Sequence, residues 1–369
     1  MKIIFMLLLI FCTISANDNV ESDDKLKKIL NNFSSACQKI DQIEYLVQRI
    51  DTFRSGHVWD KNGYAIIKKV KNDSKYGFYF FGENYSANHI SLYDGENYTI
   101  DKTKKEYDNS RSLKGSPGEQ MVSTITELIF SPSSDFKDVL LIDETNYSYK
   151  IKYIYEDDTS YNVEDIEKII ELDKETFLPL KISKTSYRLG NLSAHHFIIS
   201  DLKINSDVTS SIEKVKSILK EYSPKEEKIK KAKTIINTIV PDFKLPKLLA
   251  PSLMVGIRED KVTLIDFWEV WCGPCITSLP KVEKIFQKYS DKVDVIGFVS
   301  EDLENAKKML SIKGITFESL IATKNILESF RVNSFPRYFL IDRNGKVVKE
   351  YHGFSNDIEN DIITLLDED

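Results

Sequence analysis

The 369-residue chain is poor in the residues that build disulfide frameworks and metal sites, with only four cysteines and five histidines. So few cysteines in so long a chain exclude a fold held together mainly by disulfides. Positive charge is not in excess either, because 57 acidic residues against 51 basic ones give a net charge of −6. This balance gives no support for nucleic acid or an anionic membrane surface as a partner.

Long apolar runs are also scarce, and the clearest one follows Lys2 at the start of the chain. It extends from Ile3 to Ile14 and is followed by small and polar residues, which is the pattern of a secretory signal peptide. The run is too short to span a bilayer comfortably, although a retained anchor remains an alternative. We therefore expect residues 1–16 to be a signal peptide. The mature protein would be exported to the periplasm or cell envelope, where disulfides can persist.

Residues 23–50 place apolar side chains at helical spacing, from Leu26 through Phe33 to Val47, and predict one long helix. Cys37 lies on the apolar face of this helix. We interpret it as a small buried hydrophobe, because free cysteines are often fully buried. A third redox thiol is the alternative.

From Phe53 to Asp207 the sequence changes to short runs in which apolar and polar residues alternate. Turn-forming pairs separate them, among them Asn62-Gly63, Asp94-Gly95 and Gly190-Asn191. The pattern predicts an antiparallel sheet, interrupted by one or two helices in residues 118–130. Neighbours in a strand point to opposite faces, so His195 and His196 cannot easily share a metal. We interpret both histidines as solvated.

The order of helix, long meander, helical insert and further strands resembles the lipoprotein-carrier (LolA-like) half-barrel. The resemblance depends on this rhythm and on turn residues in DGENYTIDKTKKEY and ELDKETFLPLKISKTS. It implies an α+β domain over residues 17–210, mainly an antiparallel sheet with an N-terminal helix, that could hold an apolar ligand. A generic antiparallel sheet with packed helices is the alternative.

Residues 211–239 alternate lysine with glutamate and predict a charged, solvated helical connector that ends before Pro241. A basic docking surface is the alternative. We therefore expect a separate domain after the connector, over residues 240–369.

Two of the four cysteines, Cys272 and Cys275, lie in FWEVWCGPCITSLP. The preceding KVTLIDFW, residues 261–268, predicts a central strand, and the residues that follow have helical spacing. Cys272 should therefore lie near a helix N-cap, where unpaired N–H groups and the helix dipole favour the thiolate. We expect a lowered pKa for Cys272, which makes it the attacking sulfur. Cys275 should lie one turn deeper, shielded but within reach.

This segment resembles the active site of thioredoxin-fold proteins of the exported TlpA/ResA-like branch. Further matching segments occur in the same order: PDFKLPKL, VDVIGFVSED, ENAKKMLSIKG, FESLIA and SFPRYFLIDRNGKVVKEYHG. The resemblance implies an α/β thioredoxin fold over the last third of the chain. It also implies a redox disulfide between Cys272 as nucleophile and Cys275 as resolving thiol, with Gly273 and Pro274 forming the active-site loop between them.

The same resemblance implies a substrate-binding surface beside the dithiol. Pro336 matches the cis-proline that faces the cysteines, and Phe335 would offer its backbone to an extended substrate segment. Trp271 would form an apolar cap next to the sulfur.

Asp266 is the best candidate proton acceptor. Burying a carboxylate within an apolar strand costs free energy, so we expect the residue to serve a function there. Burial should raise its pKa and let it accept the proton of Cys275 through a water; an exposed aspartate at a sheet edge is the alternative. The sequence departs from the TlpA/ResA-like pattern at three positions. We interpret Glu269 as a solvated loop residue. Ser278 stands where many relatives have glutamate, and Arg337, after the cis-proline, would bias substrate choice.

Together these patterns predict an exported thiol–disulfide oxidoreductase that acts on disulfide-containing protein substrates. The sequence leaves the direction of electron flow open. The TlpA/ResA-like resemblance implies that the protein reduces these substrates and has an upstream thiol donor, which could be membrane-bound. We expect no cofactor, and no metal, since a zinc site would need about four ligands. A purely structural disulfide is disfavoured by the strand–helix junction around the pair. The alternative function is a module that binds a partner or an apolar ligand and carries an accessory redox domain.

Overall fold

The computed structural model describes residues 18–123, 125–126, 135–225, 234–257 and 260–367. The expected signal peptide, residues 1–16, lies outside the described residues. By contacts the chain divides into two compact units: residues 1–157 with 164–226, and residues 158–163 with 227–369. No helix in the described part of the chain is both long enough and apolar enough to cross a membrane.

The first unit is built on one twelve-stranded sheet, as the alternating pattern predicts. Its strands are β1 (Gln42–Thr52), β2 (Val58–Lys69), β3 (Phe78–Asn84), β4 (His89–Tyr93), β5 (Asn97–Asp101), β6 (Glu106–Asp108), β7 (Asp138–Glu144), β8 (Ser148–Ile154), β9 (Glu164–Asp173), β10 (Pro179–Arg188), β11 (Asn191–Ile204) and β12 (Ser223–Pro224). The order across the sheet is β12-β6-β5-β4-β3-β2-β1-β11-β10-β9-β8-β7. Neighbouring strands are antiparallel except β12, which runs parallel to β6.

Helix α1 (Asp18–Gln38) contributes to the main core of this unit. Leu26, Ile29 and Phe33 repeat at helical spacing and belong to the same buried cluster as Ile43 and Tyr45 of β1. Cys37 is free and buried in that cluster, as predicted. Burial raises the pKa of its thiol to about 12, so it is not a reactive thiolate at neutral pH.

The predicted helix over residues 23–50 is too long. Helix α1 ends at Gln38, and Gln42–Thr52 form strand β1. Ile43, Tyr45 and Val47 alternate at a period of two, and all three are buried on one face. The helical interpretation counted Ile43 and Val47 as an i, i+4 pair, which is the ambiguity that short apolar runs present.

Two local predictions in this unit also need correction. The pair Asn62-Gly63 is not a turn, because it lies within β2, where a Cβ on Gly63 would fall 2.5 Å from Sδ of Met121. In the predicted helical insert, the described residues form a 3₁₀ turn at Glu119–Met121 and helical backbone at residues 123, 125 and 126. Residue 124 and residues 127–130 of that insert lie outside the described residues.

The charged connector is less solvated than predicted. Its first part forms helix α2 (Ile212–Lys216) and a 3₁₀ helix (Ser217–Glu221). Apolar side chains of this part pack against a second buried cluster on the sheet, namely Ile212, Val215, Ile218, Leu219 and Tyr222. The prediction considered only the alternating lysines and glutamates and therefore overlooked these apolar side chains. Residues 226–233 lie outside the described residues.

The second unit contains a five-stranded sheet of order β17-β16-β15-β18-β19 and a two-stranded one. Its strands are β13 (Leu245–Pro246), β14 (Met254–Val255), β15 (Val262–Phe267), β16 (Val293–Val299), β17 (Glu318–Ile321), β18 (Arg337–Ile341) and β19 (Val347–His352). Its helices are α3 (Gly273–Tyr289), α4 (Leu303–Ile312), α5 (Lys324–Ser329) and α6 (Asp357–Asp367). Strands β15, β16 and β17 are parallel, whereas β18 runs antiparallel to β15 and β19.

The central strand β15 is buried at every position, as its apolar sequence predicts. Side chains of alternate residues face opposite sides of the sheet. Ile265 and Phe267 join one core cluster with Phe298 and Phe339. Leu264 and Asp266 therefore face the other side.

Close backbone approach in the first unit yields a stability prediction. A Cβ on Gly82 of β3 would lie 2.1 Å from the carbonyl oxygen of Gly118. We expect Gly82→Ala to push these segments apart and lower the free energy of unfolding by about 1–3 kcal/mol. Hydrogen exchange of peptides from residues 78–93, measured across a urea series, would report the loss.

Gly115→Ala is the matched control. Gly115 has φ +78° and no neighbouring atom within 4 Å of an added Cβ, so its cost is backbone strain alone, about 1 kcal/mol. Equal protection losses in β3 for the two variants would show that the contact with Gly118 is not limiting.

Candidate active site

The two cysteines lie where strand β15 leads into helix α3, and a disulfide joins them. Cys272 is the N-cap residue, as predicted: its backbone is extended (φ −81°, ψ 100°), and its Sγ accepts a hydrogen bond from the backbone N–H of Cys275 at 3.2 Å. Pro274 lies in the first helical turn, where its missing N–H costs no helical hydrogen bond. The helix continues through Pro280 to Tyr289 without a break.

The two sulfurs differ in their access to solvent. Cys275 is completely buried and Cys272 is 5% exposed, so the disulfide is shielded by the protein with Cys272 on the outer side. The N–H groups of the first turn point towards Cys272, and the helix dipole adds positive potential there. In the reduced protein both effects favour a thiolate on Cys272.

A cis peptide bond between Phe335 and Pro336 lies directly before β18, the first strand of the β18–β19 hairpin. Arg337, the next residue, pairs with Phe267 at the end of β15. The cis bond thus lies next to the end of β15. From that end residues 268–272, the cysteine loop, lead to α3. The indole of Trp271 is 54% exposed and meets the ring of Phe335 edge-on, with the ring centroids 5.5 Å apart.

Asp266 is fully buried and is the penultimate residue of β15, six residues before Cys272 in the chain. No described residue donates a hydrogen bond to either of its carboxylate oxygens. Burial raises the pKa of this carboxyl well above its usual value. The predicted exposed-edge alternative is therefore excluded for Asp266.

A hydrogen-bonded chain runs from Tyr338, the neighbour of Asp266, to Cys275. Tyr338 pairs with Asp266 across β15 and β18. Its hydroxyl donates to Oγ of Ser278 at 2.8 Å, and Ser278 donates to the carbonyl oxygen of Cys275 at 2.9 Å. Sequence reasoning missed Tyr338, although its place two residues after Pro336 on an alternating strand could have indicated it.

Glu269 is not the solvated loop residue that the sequence suggested, because it is 1% exposed. Its carboxylate accepts hydrogen bonds from the backbone N–H of Ser300 at 2.9 Å, from the hydroxyl of Ser300, and from the backbone N–H of Glu301 at 3.2 Å. Burial raises the pKa of Glu269, and these hydrogen bonds oppose the rise. The donors lie more than thirty positions further along the chain, so no local sequence pattern could indicate them.

Arg337 does not face a substrate, contrary to the prediction. It is 4% exposed, and its guanidinium lies 2.8 Å from Nδ1 of His352 and 3.4 Å from the carboxylate of Glu350. These two partners come from β19, the strand paired with β18. Arg337 therefore ties the two strands of the hairpin together.

The side chains of His195 and His196 contact different partners, as expected for neighbours on opposite faces of a strand. His195 contacts Asp51 through Nδ1 at 2.7 Å, whereas His196 contacts the hydroxyl of Ser183 at 2.9 Å. Both histidines are partly buried rather than fully solvated. Among the residues that the structure describes, no group of three or more histidine, cysteine or acidic side chains could hold a metal ion.

Comparison with known proteins identifies the second unit. A family model described as Redoxin matches residues 236–366. Thioredoxin-like protein YneN of Bacillus subtilis (strain 168) is 30% identical over 135 residues, which are 36% of this chain and 76% of that protein. The chain belongs to the thioredoxin-like thiol–disulfide oxidoreductases. Within this family it is similar to thiol–disulfide oxidoreductase ResA of Bacillus thuringiensis subsp. konkukian (strain 97-27), at 29% identity over 136 residues, which are 36% of this chain and 75% of that protein.

Solved structures of this family also align with the chain. One is a thiol:disulfide interchange protein of the thioredoxin family from Chlorobium tepidum TLS, at 20% identity and a TM-score of 0.33, covering 35% of this chain and 97% of that one. The Redoxin match and the similarity to YneN and ResA confirm the expected thioredoxin fold and its TlpA/ResA-like character for the second unit. The family model begins at residue 236 and therefore carries no information on the first unit.

The burial of Asp266 yields a prediction on pH. The folded protein holds the proton of this carboxyl to a higher pH than the unfolded chain, whose aspartates titrate near pH ~4. Between the two pKa values the folded state binds more protons, so the free energy of unfolding falls as pH rises. We expect Asp266→Asn to remove this fall, so that the variant gains stability relative to wild type as pH rises from 4 to 8.

Urea unfolding of the oxidised protein, followed by tryptophan fluorescence at several pH values, measures this gain. Asp291→Asn, at an exposed position after α3, is the control and should keep the wild-type pH dependence. A constant difference between Asp266→Asn and wild type across the range would contradict the raised pKa.

Proposed function

We propose that the protein is an exported enzyme that reduces disulfides of protein substrates through Cys272 and Cys275. The observation that carries the proposal is the disulfide at the N-terminus of α3, with Cys272 as the cap and Cys275 completely buried behind it. This arrangement gives one sulfur access to a partner and keeps the other for an internal reaction. Membership of the thiol–disulfide oxidoreductase family supports the same activity.

In the proposed reaction, the Cys272 thiolate attacks one sulfur of a substrate disulfide, and the other substrate sulfur leaves as a thiolate. A mixed disulfide now joins Cys272 to the substrate. Cys275, after loss of its proton, attacks Sγ of Cys272 and forms the Cys272–Cys275 disulfide. The second substrate sulfur leaves as a thiolate, and the substrate has gained two electrons. An upstream thiol donor then returns the pair to the dithiol state.

Asp266 is the proposed acceptor of the Cys275 proton. Its raised pKa brings it closer to the pH at which a general base works best, and burial keeps bulk water from competing. A water is needed to connect the two groups. The absence of hydrogen-bond donors to its oxygens among the described residues leaves Asp266 able to take a proton.

Trp271, Phe335 and Pro336 form the proposed substrate-binding surface. The exposed indole and the phenyl ring in contact with it offer an apolar surface next to Cys272. The carbonyl of Pro336 is already bonded to the N–H of Gly353. Pairing with an extended substrate segment therefore falls to the backbone of Phe335.

Export and the role of the first unit belong to the same proposal. The apolar run from Ile3 to Ile14 supports export to the periplasm or the cell envelope. The first unit would place the redox unit near its partner rather than take part in the chemistry. The only free cysteine among the described residues, Cys37, is buried there with a strongly raised pKa.

The division of labour between the cysteines can be tested by trapping. Cys275→Ser removes the sulfur that releases the substrate but leaves attack intact, so mixed disulfides with substrates should accumulate. Cys272→Ser removes attack and should form none. Non-reducing gels of cells that carry each variant give the comparison, with wild type as the reference. Equal adducts from both variants would show that the two roles are assigned incorrectly.

A cavity in the first unit supports a second candidate function, the binding of an apolar ligand. Its volume is about 270 Å³, and aromatic rings dominate one side of it. The lining residues are Tyr76, Phe78, Phe80, Glu119, Val122, Ser123 and Thr126. Cavities of this kind, mostly apolar with few polar groups, are suited to small apolar molecules.

This second candidate predicts that the mature protein binds a fluorescent fatty acid such as cis-parinaric acid. Ser123→Trp places a large side chain into the cavity and should weaken binding at least tenfold, which is about 1.4 kcal/mol. Ser112→Trp, at an exposed site away from the cavity, should bind as wild type does. Equal titration curves for the two variants would rule out this cavity as the site.

A further inference from the structure

Glu269 differs from Asp266, the buried carboxylate three residues before it, because donors from another loop satisfy it. It follows β15, and its donors follow β16, the parallel neighbour of β15. Phe267 and Phe298 are paired at the carboxyl ends of these strands. Glu269 and Ser300 each lie two residues beyond that pair, so the two loops leave the sheet at the same edge.

The carboxylate of Glu269 holds the loop after β16 in a fixed place. It accepts from two successive backbone N–H groups, those of Ser300 and Glu301, and from the Ser300 hydroxyl. An ionised acceptor makes such hydrogen bonds shorter and stronger than a neutral one. The next residue, Asp302, has φ 47°, a conformation that needs support in a residue other than glycine. The carboxylate provides support next to that residue.

Glu301, fixed in this way, holds the indole of Trp271. Its Oε2 accepts a hydrogen bond from Nε1 of Trp271 at 3.0 Å. A continuous path therefore connects the Glu269 carboxylate, the backbone of Glu301, the Glu301 carboxylate and the indole. Trp271 directly precedes Cys272, and the backbone N–H of Cys272 itself donates to the carbonyl of Glu269 at 3.0 Å. The side chain of Glu269 thus acts on Trp271 through Glu301, whereas its backbone carbonyl, which Glu269→Ala retains, holds Cys272.

The indole needs such a restraint because little protein covers it. Trp271 is 54% exposed, and among the described residues its aromatic neighbour is Phe335, which meets it edge-on. A large exposed side chain without a polar anchor would occupy several rotamers, and a substrate would have to select one of them on binding. Anchoring by Glu301 removes that cost in advance.

We propose that Glu269 is a positioning residue that fixes the Trp271 indole through Glu301, and that this preorganised indole accelerates attack on disulfides in proteins rather than on small disulfides. The inference rests on the proposed function, since it concerns how substrates reach Cys272. A protein substrate presents surface that can pack on a fixed indole. A small, flexible disulfide presents too little surface to benefit.

The test compares two substrates in single-turnover reactions of the reduced, mature full-length protein: insulin, and 2-hydroxyethyl disulfide. We expect Glu269→Ala and Glu301→Ala each to slow the reaction with insulin about five- to tenfold, as for a lost positioning contact. Both variants should stay within about twofold of wild type on 2-hydroxyethyl disulfide. Glu301→Gln keeps an acceptor oxygen for the indole N–H and should restore most of the rate with insulin.

A double-mutant cycle separates positioning from a general structural effect. In a Trp271→Ala background, adding Glu269→Ala should slow insulin reduction by no more than about twofold, because the group that Glu269 positions is absent. Glu304→Ala, at an exposed glutamate of α4 that pairs with Lys307, is the matched control and should react as wild type does. If Glu269→Ala does not fold, the exposed Glu301 variants carry the test alone.

Two results with insulin alone would overturn the inference: a wild-type rate for Glu301→Ala, or losses from Glu269→Ala and Trp271→Ala that multiply in the double variant. Equal slowing on both substrates would also contradict it, because that outcome reports damage to the cysteines themselves. Failure of the proposed function looks different. In that case the wild-type protein reduces neither disulfide.

Discussion

The N-terminus of α3 is the constraint on which the redox site depends. The five residues between Phe267 and Gly273 turn the chain from a buried strand into a helix, and Cys272 caps that helix with its own sulfur. The cap places the reactive atom where the helix dipole and the unpaired N–H groups act together. It also places Cys275 inside the first turn, completely buried. The proposed reactivity of Cys272 and the burial of Cys275 therefore follow from the same local geometry.

Two buried carboxylates near this helix show how environment assigns roles to the same chemical group. Burial raises the pKa of both Asp266 and Glu269. Glu269 is satisfied by three hydrogen bonds from Ser300 and Glu301, which suits an anchor that stays in place. Asp266 receives none from any described residue, which suits a group that gains and loses a proton. Sequence spacing alone could not make this distinction, because it depends on which distant donors reach each carboxylate.

The sequence predicted best where one strong local pattern was sufficient. The apolar run before Cys272 and the cap position are local features, and the structure has both. The cis-proline that the family resemblance implied is present as well. Prediction failed where partners come from elsewhere in the chain, as for Glu269 and Arg337. It also failed where a short apolar run fitted two periods, as at Ile43 and Val47, or where charge hid an apolar face, as in α2. The long-range contacts that decide such cases are not visible in local sequence.

A buried polar cluster in the first unit bears on the proposal that the redox chemistry takes place in the second unit. Asp51 and His195 form a close acid–histidine pair, which in other settings could activate a nucleophile. Burial alone would raise the pKa of Asp51, but hydrogen bonds from His195 and Arg49 outweigh it and lower the value to about 2. Arg49 donates to both carboxylate oxygens, and Lys61 lies 3.7 Å away. A carboxylate neutralised by two cations stabilises strand pairing between β1, β2 and β11 rather than the imidazolium that a catalytic histidine must form. The Asp51–His195 pair therefore lacks the electrostatics of a catalytic dyad, which agrees with the proposal that Cys272 and Cys275 carry the chemistry.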